Sequence, residues 1–149
     1  MNIVNNDAII EKLRSAMGDK VEIIPDALFT YIKVSPDDLL TLMQLLRDQL
    51  GMNYLANLTV VDLGENFELV YHLYAIPDNQ QKLVVKTRVP INQAELPSVS
   101  AIYPTADWQE REVWDLMGVI FSQHPNLVRV LLPDNFSGHP LRKDFKKEA

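Results

Sequence analysis

The chain has 149 residues, 47% of them hydrophobic, and a formal net charge of -6 at pH 7. This length and composition fit a single domain with one hydrophobic core. The acidic balance argues against nucleic acid or an anionic membrane surface as the main partner. Cysteine is absent, which excludes disulfides, thiolate nucleophiles and zinc or iron–sulfur centres held by this chain's own thiolates.

The N-terminal residues 1–7 contain no basic region followed by an apolar stretch, and no apolar run reaches 18 residues. We therefore expect neither secretion nor a membrane-spanning helix. The predicted location is the cytoplasm, with membrane association only indirect, through partner proteins.

The first 51 residues predict two amphipathic helices on either side of a hairpin. Apolar residues recur at helical spacing over residues 7–17, and Gly18 is placed to end that helix in a left-handed conformation. Residues 21–34 predict two short strands divided at Pro25. Ser35-Pro36-Asp37-Asp38 is a strong helix start, and the helix should end at Gly51. Its apolar stripe favours packing flat on a sheet over docking a partner helix; the stripe is Leu39, Leu42, Met43, Leu46 and Leu50.

Three extended runs follow, at residues 54–63, 67–76 and 82–89, and the polar turns between them predict an antiparallel meander. The middle run alternates between an apolar and a more polar face, as in a sheet covered by helices on one side. The predicted fold class is therefore α+β, a two-layer sandwich of a mixed, mainly antiparallel sheet with helices on one face. Residues 1–121 form the predicted globular core. Prolines 125, 133 and 140 predict an irregular, extended interface tail over residues 122–149.

Residues 107–117 predict a third helix that carries several charges. On a helical wheel, an apolar arc of Val113, Trp114, Leu116 and Met117 contains Glu110. The opposite side carries Trp108, Arg111 and Asp115, with Glu112 beyond them on the polar side, and Arg111 is expected to pair with Asp107 and Asp115 at i±4 spacing.

Glu110 has two compatible interpretations. In the first it forms a capping box, with Asp107 as the N-cap residue and Glu110 reaching back to a backbone N–H. In the second it is a buried carboxylate presented to Arg129, Arg142 or a cation of a partner, because an unpaired buried charge costs several kcal/mol.

No catalytic, cofactor-binding or metal-binding residue is predicted. His72, His124 and His139 could be combined with Glu110, Glu112 or Asp115, but no histidine has another histidine at metal-ligand spacing, which favours polar packing or turn roles. No Gly-x-Ser-x-Gly elbow occurs, and the five glycines are isolated, which excludes a dinucleotide or nucleoside-triphosphate loop.

Three runs in the last third carry a resemblance: Glu110-Arg-Glu-Val-Trp-Asp-Leu-Met-Gly118, His124-Pro-x-Leu-x-Arg129-x-Leu-x-Pro133 and Gly138-His-Pro-Leu-Arg-Lys-Asp-Phe145. Together they closely resemble the signature of the C subunit, the 30-kilodalton subunit of respiratory complex I, the proton-translocating NADH:quinone oxidoreductase. Further similarity lies at Val61-Asp62, Tyr71-His72-Leu73 and Ser98-Val-x-x-Ile-Tyr-Pro104. The chain departs from the family where Gln123 stands in place of the usual Gly, and where Phe136 and Phe145 stand in place of the frequent Trp or Tyr.

The resemblance implies a cofactor-free structural and assembly subunit of the peripheral arm, on the cytoplasmic side of the cell membrane. Its partners would be the large quinone-site subunit and the iron–sulfur subunits, and the FMN and iron–sulfur clusters would lie in those partners. Arg129, Arg142 and Lys143 are the predicted interfacial cations. The signature residues expected to shape the interface are Glu110, Arg111, Glu112, Asp115, Gly118, His124, Pro125, Arg129, Pro133, Gly138, His139, Pro140, Arg142, Lys143 and Asp144.

Two other functions remain open from the sequence. One is the equivalent subunit of a membrane-bound nickel–iron hydrogenase or of a deazaflavin- or ferredoxin-linked dehydrogenase, which resemble complex I. The other is a stand-alone metal-dependent hydrolase that uses His124, His139 and Glu112. The electron donor, the quinone type and the pumped ion are not encoded in this chain.

Overall fold

A computed structural model describes residues 7–26, 29–77 and 81–146. It contains three α-helices and seven β-strands in the described part of the chain. In chain order these elements are α1 Asp7–Met17, β1 Val21–Pro25, β2 Thr30–Val34, α2 Leu39–Asp48, β3 Tyr54–Asp62, β4 Asn66–Tyr74, β5 Lys82–Pro90, β6 Glu95–Pro97, α3 Ala106–Met117 and β7 Ile120–Ser122.

Five strands form one sheet in the order β1-β2-β5-β4-β3. β1 and β2 form the predicted hairpin, paired from Val21 opposite Val34 to Pro25 opposite Thr30. β3, β4 and β5 form the predicted antiparallel meander. β2 and β5 are parallel, because α2 and two strands intervene in the chain before β5 returns beside β2. The prediction of a mixed, mainly antiparallel sheet is confirmed.

The helices cover one face of this sheet, as predicted. On β4 the alternate residues Phe67, Leu69, Tyr71 and Leu73 are fully buried against them. α1 contributes Ile9, Leu13 and Met17 to the same core, and α2 contributes the Met/Leu stripe. The interpretation of that stripe as core rather than as a partner site is therefore confirmed.

The end of α1 agrees with the sequence-based prediction, whereas the start of α2 differs from it. Gly18 follows α1 with φ = 58°, the left-handed conformation that favours glycine. Before α2, Pro36–Asp38 form a short 3₁₀ turn, and Ser35 makes no side-chain hydrogen bond to the backbone. Its hydroxyl instead lies 3.2 Å from the Asp38 carboxylate, because the tighter turn brings these two side chains together.

The segment before α3 contains structure that sequence periodicity did not indicate. β6, at Glu95–Pro97, pairs in parallel with β7, at Ile120–Ser122. Each strand has only three residues, which is too short to show an alternating pattern. This small second sheet brackets α3, because one strand precedes the helix and the other follows it.

Residues 123–146 form no regular helix or strand, in agreement with the predicted irregular tail. The tail nevertheless folds back on the core. The Leu141 N–H donates to the Leu116 carbonyl at 2.9 Å, and the Lys143 N–H donates to the Asp62 carboxylate at 2.9 Å. The two ends of the predicted domain, residues 1–6 and 147–149, lie outside the described residues. Within the described residues, no helix is long and apolar enough to cross a membrane.

Candidate docking surface

The start of α3 differs from the predicted capping box. The helix begins at Ala106, so Asp107 lies inside its first turn rather than at the N-cap. Thr105 precedes the helix but makes no side-chain cap, because its Oγ1 donates to the Leu55 carbonyl of β3 at 2.7 Å. The capping-box prediction is therefore wrong: strand β3, and not a reciprocal cap, fixes how the chain enters α3.

Glu110 is fully buried, as the second interpretation required, but its partners are not arginines. Its carboxylate accepts hydrogen bonds from the Ser98 Oγ at 2.6 Å and from the Val99 N–H at 2.9 Å. Burial raises the pKa of Glu110 to about 7, although these two hydrogen bonds act to lower it, and nearby Asp107 adds to the increase. The prediction that Arg129 or Arg142 is the partner is wrong, because both side chains are engaged elsewhere.

His124 connects the beginning of the tail to this buried carboxylate. Its side chain is wholly buried, and its Nε2 lies 3.2 Å from the Asp107 carboxylate, 3.0 Å from the Asp107 carbonyl and 4.0 Å from Glu110. Its Nδ1 accepts the Asn126 N–H at 2.9 Å. Because a backbone amide only donates, the ring proton belongs on Nε2, where it is directed at Asp107. His124 thus closes the turn after β7 against α3.

Asp115 is the centre of the tail's attachment to α3, contrary to the prediction that it pairs with Arg111 on the side opposite the apolar arc. Its Oδ2 accepts three consecutive backbone N–H groups, at 2.7 to 3.0 Å, and its Oδ1 lies 2.7 Å from the Arg129 guanidinium. The three amides belong to Val130, Leu131 and Leu132. Burial alone would raise the pKa of Asp115, but these hydrogen bonds outweigh it and lower the pKa to about 2.

Arg129 uses its donors inside the chain. One Nη donates to the backbone carbonyl and the carboxylate of Asp115. The other donates to the carbonyls of Phe136 at 3.0 Å and Gly138 at 2.8 Å. Arg129 therefore closes the loop between residues 129 and 138, and these four hydrogen bonds commit it to shaping the tail rather than to reaching a partner carboxylate.

Arg111 lacks the predicted ion pairs with Asp107 and Asp115. Within the described residues, no carboxylate lies within salt-bridge distance of its guanidinium. The Nε donates to the Val128 carbonyl at 3.4 Å, and the guanidinium lies 5.2 Å from the centre of the Trp108 ring. The Trp108 indole N–H in turn donates to Glu112 at 2.7 Å. The prediction fails because the tail occupies the Asp115 carboxylate.

Gly118 ends α3 in a left-handed conformation, with φ = 76°. A Cβ at this position would lie 2.7 Å from the His139 ring. That ring also contacts Trp114, with centroids 4.8 Å apart, and its Nδ1 lies 3.0 Å from the Asp115 carbonyl. Glycine is thus required here both for the turn and for the close approach of His139.

Arg142, Lys143 and Asp144 lie at the far end of the tail. Two nitrogens of Arg142 donate to the Asp144 carboxylate, each at 2.8 Å, and the Arg142 guanidinium lies 5.2 Å from the centre of the buried Phe67 ring. Lys143 binds the core through its backbone and its side chain is exposed. The remaining signature residues include exposed Pro125, Pro133 and Gly138, and half-buried Pro140.

Comparison with known proteins identifies the family. The profile of the family described as respiratory-chain NADH dehydrogenase, 30 Kd subunit, matches residues 32–149. The chain belongs to this 30-kilodalton subunit family. The NADH-quinone oxidoreductase C subunit of Moorella thermoacetica is 43% identical over 145 residues, which cover 96% of this chain and 97% of the relative. The NADH-quinone oxidoreductase C/D subunit of Shewanella woodyi is 40% identical over 98% of this chain, which corresponds to 23% of that longer protein.

Two solved structures share the fold of this 30-kilodalton family member. A trypsin-resistant fragment of Nqo5 has a TM-score of 0.69 at 26% identity, covering 81% of this chain and 98% of the fragment. A chain of the membrane-bound sulfane sulfur reductase, an archaeal respiratory membrane complex, has a TM-score of 0.83 at 26% identity. It covers 95% of this chain and 85% of that chain.

The structure does not assemble the metal-dependent hydrolase site that the sequence leaves open. His124 contacts Asp107 beside Glu110, His139 lies against Gly118 and Trp114, and Glu112 binds the Trp108 indole. These side chains occupy three separate places. Among residues 7–26, 29–77 and 81–146, no three His, Asp or Glu side chains are grouped so that they could hold a metal ion.

Sequence reasoning missed several groups that hold the signature residues of the family in place. Ser98 and Val99 bind Glu110 from 12 and 11 positions away, and Asp62 binds Lys143 across 81 positions. In the sequence, Ser98 and Asp62 stand out only as part of the resemblance. No local spacing rule connects such distant groups, so only their place in the family pattern could have singled them out.

Proposed function

We propose that this chain is a cofactor-free structural and assembly subunit of the peripheral arm of NADH:quinone oxidoreductase. The observation that carries the proposal is the likeness to the C subunit of that enzyme over nearly the whole length of both chains. In such a complex, electrons pass from NADH through FMN and iron–sulfur clusters to quinone, and the reaction is coupled to proton translocation. This chain would contribute surfaces that hold the partner subunits in register.

The geometry supports a scaffold because the signature residues fix a shape. Asp115 and Arg129 fasten the middle of the tail to α3, and His124 fastens its beginning by bonding Asp107. A rigid surface binds with less loss of conformational entropy than a segment that must order on binding. The buried signature residues thus hold the tail in a fixed shape. The exposed side chains of the tail face outward, where they can contact neighbouring subunits.

The proposed partners are the large quinone-site subunit and the iron–sulfur subunits of the same complex, at the cytoplasmic side of the membrane. The relative named as a C/D subunit supports the first of these, because the names of two subunits are joined there in one polypeptide. Arg142 and Lys143 are the proposed interfacial cations. Lys143 is exposed, whereas Arg142 is prepaired with Asp144, so the pair would offer a planar, preoriented guanidinium edge.

A second candidate is the equivalent subunit of another membrane-bound respiratory complex. It is supported by the likeness to the chain of the sulfane sulfur reductase complex, which covers 95% of this chain. In both candidates the chain acts as a scaffold. They differ in the electron-input subunits of the complex, which the residues of this chain do not specify.

Affinity purification distinguishes the candidates. The chain would be tagged in its native host, the membranes solubilised in mild detergent, and the recovered subunits identified by mass spectrometry. NADH:quinone oxidoreductase predicts an FMN-containing, NADH-oxidising subunit among them. Recovery of hydrogenase or ferredoxin-linked subunits would establish the second candidate, and recovery of the chain without partners would contradict both.

A further inference from the structure

One side of α3 and the tail that crosses it expose large apolar side chains. Trp108, at position i, shares a helix face with Arg111 at i+3 and Asp115 at i+7. The tail follows this face, because the Val128 carbonyl accepts from Arg111 and the Leu131 N–H binds Asp115. Trp108 is 51% exposed, Val128 43% and Leu131 56%. These exposed residues therefore lie on α3 or on the tail segment bonded to it, over about two turns of the helix.

Leu141 lies where the tail meets the C-terminal end of α3. Its N–H donates to the carbonyl of Leu116, the residue after Asp115, and its side chain is 61% exposed. Exposed apolar residues scattered singly need no explanation, but several on one face indicate a binding surface. We call Trp108, Val128, Leu131 and Leu141 the α3 row.

The α3 row has a basic centre that lacks a counterion. Arg111 lies against the Trp108 ring, and within the described part of the chain it forms no ion pair. Tryptophan and arginine are among the residue types enriched at the energetic centres of protein interfaces. A half-buried guanidinium held by an aromatic ring and one long hydrogen bond is suited to receive a carboxylate.

We propose that the α3 row is a docking surface for a partner protein subunit that presents apolar side chains and a carboxylate for Arg111. This inference rests on the proposed scaffold function and deepens it, because none of the four apolar residues belongs to the predicted interface set. It adds α3 and the tail segments bonded to it to the proposed interface, beside Arg142 and Lys143.

Charge favours such a partner over the other occupants of an apolar surface. The net charge of -6 opposes association with a second copy and with an anionic membrane. A symmetric contact between two copies would also bring the two Arg111 side chains toward one another. A partner that carries a carboxylate satisfies both the apolar row and the cation.

The test is a matched pair of double variants in the tagged chain. Leu131→Ser with Leu141→Ser removes two of the row's three aliphatic side chains, whereas Leu40→Ser with Leu63→Ser changes two exposed but somewhat less accessible leucines on α2 and after β3. We expect the first variant to lower the yield of assembled complex on native gels at least about tenfold, which is typical of interface centres. The control should leave the yield within about twofold of wild type. Circular dichroism of each purified full chain checks that it folds.

Arg111→Gln supplies a second, independent measurement. We expect it to weaken assembly and to make the remaining assembly less sensitive to salt, because salt screens an exposed carboxylate–guanidinium contact. An assembly yield equally salt-sensitive in wild type and in Arg111→Gln would contradict the carboxylate partner.

The other outcomes overturn the proposal in distinguishable ways. Equal loss in the two double variants, or loss in neither, would show that the α3 row has no special role. Dimerisation of the isolated wild-type chain that the row variant abolishes would assign the surface to a second copy, and binding to vesicles of anionic phospholipid that it abolishes would assign the surface to the membrane. If the wild-type chain recovers no partner subunits, the scaffold function itself fails; if it recovers them and the row variant does too, only this inference fails.

Discussion

The Arg129 guanidinium lies 2.7 Å from the Asp115 carboxylate, 14 residues away in the chain, and both side chains are almost fully withdrawn from solvent. The same carboxylate accepts three successive backbone N–H groups of the tail. A single buried charge thus organises a segment that has no regular secondary structure. The tail keeps its shape because each of these donors would otherwise be left unpaired.

Asp115→Asn should strongly destabilise the protein. The neutral amide leaves the nearly buried Arg129 charge without a counterion, and its one NH₂ group must face either the Arg129 guanidinium or the tail's N–H groups, none of which it can accept. Breaking a buried pair typically costs about 3–5 kcal/mol of unfolding free energy. Chemical denaturation measures this loss, and hydrogen exchange should show that the amides of residues 130–132 lose protection. Asp144→Asn is the control, because Asp144 is exposed and solvent screens its pair with Arg142, so this variant should cost far less. Equal losses in the two variants would contradict the central role of Asp115.

Gly118→Ala should cost more than a glycine substitution at a similar backbone angle elsewhere. Gly51 has φ = 72°, and a Cβ there would meet no atom within 4 Å, whereas a Cβ at Gly118 would strike the His139 ring. Both variants carry the left-handed strain of about 1–2 kcal/mol. We expect Gly118→Ala to lose about 1 kcal/mol or more beyond that, because His139 must move. The two free energies of unfolding, measured side by side, isolate the contact; equal values would show that the ring moves away freely.

Gln123→Gly should stabilise the protein. Gln123 has φ = 67°, which is strained for a residue with a Cβ. Relief of about 1–2 kcal/mol of strain is partly offset by the greater freedom of glycine in the unfolded chain. We expect a net gain of roughly 0.5–1 kcal/mol and a melting temperature about 2 °C higher. Gln123→Ala keeps the Cβ and should give no gain, so an equal increase from alanine would exclude strain as the cause.

The sequence predicts the sheet and the helices because their information is local. The stripe of Leu39, Leu42 and Met43 has the period of a helix, and the strands alternate with a period of two. Periodicity does not reveal strands β6 and β7, because three residues are too few to show a period. The parallel pairing of β2 with β5 is likewise not visible in either strand.

The predicted environment of Asp115 was wrong for a different reason. A helical wheel describes one helix and assigns the face opposite the apolar arc to solvent, so it cannot include a tail that returns over that face. The wheel correctly predicted that Glu110, which lies within the apolar arc, is buried. It could not identify Ser98 as the hydrogen-bond partner of Glu110. Residue type and spacing therefore predict which groups are buried or charged, whereas long-range backbone donors decide what each charge binds.

Arg142→Ala should impair assembly while the isolated chain still folds. Its ion pair with Asp144 is exposed on the Asp144 side and contributes little to stability. At a desolvated interface, truncating an arginine typically costs about 2–5 kcal/mol of binding free energy. Native gels of detergent-solubilised membranes measure the yield of complex. Arg142→Lys keeps the charge without the planar fork and should restore assembly only in part, and an unchanged yield in Arg142→Ala would count against an interfacial role.

Glu110 should make the protein less stable as the pH rises through the neutral range. Its pKa is raised from 4.5 to about 7 in the folded state, so between these values the folded chain holds a proton that the unfolded chain has released. The unfolding free energy therefore falls from pH 4.5 to pH 7, by on the order of 3 kcal/mol, and is level above that. His72 acts in the opposite sense, because burial and nearby Lys86 lower its pKa, so protonation of the unfolded chain reduces stability below pH 6.5.

Glu110→Gln separates the two contributions, because it retains His72 and mimics the protonated carboxyl. Its side-chain oxygen can accept the Val99 N–H while its amide nitrogen donates to the Ser98 Oγ. We expect this variant to match the wild type near pH 5 and to exceed its unfolding free energy at pH 8, as measured by chemical denaturation across the range. Glu112→Gln, which changes a half-buried carboxylate on the same helix, is the matched control. A wild-type profile that runs parallel to that of Glu110→Gln from pH 5 to pH 8 would show that Glu110 does not titrate in this range and would contradict the prediction.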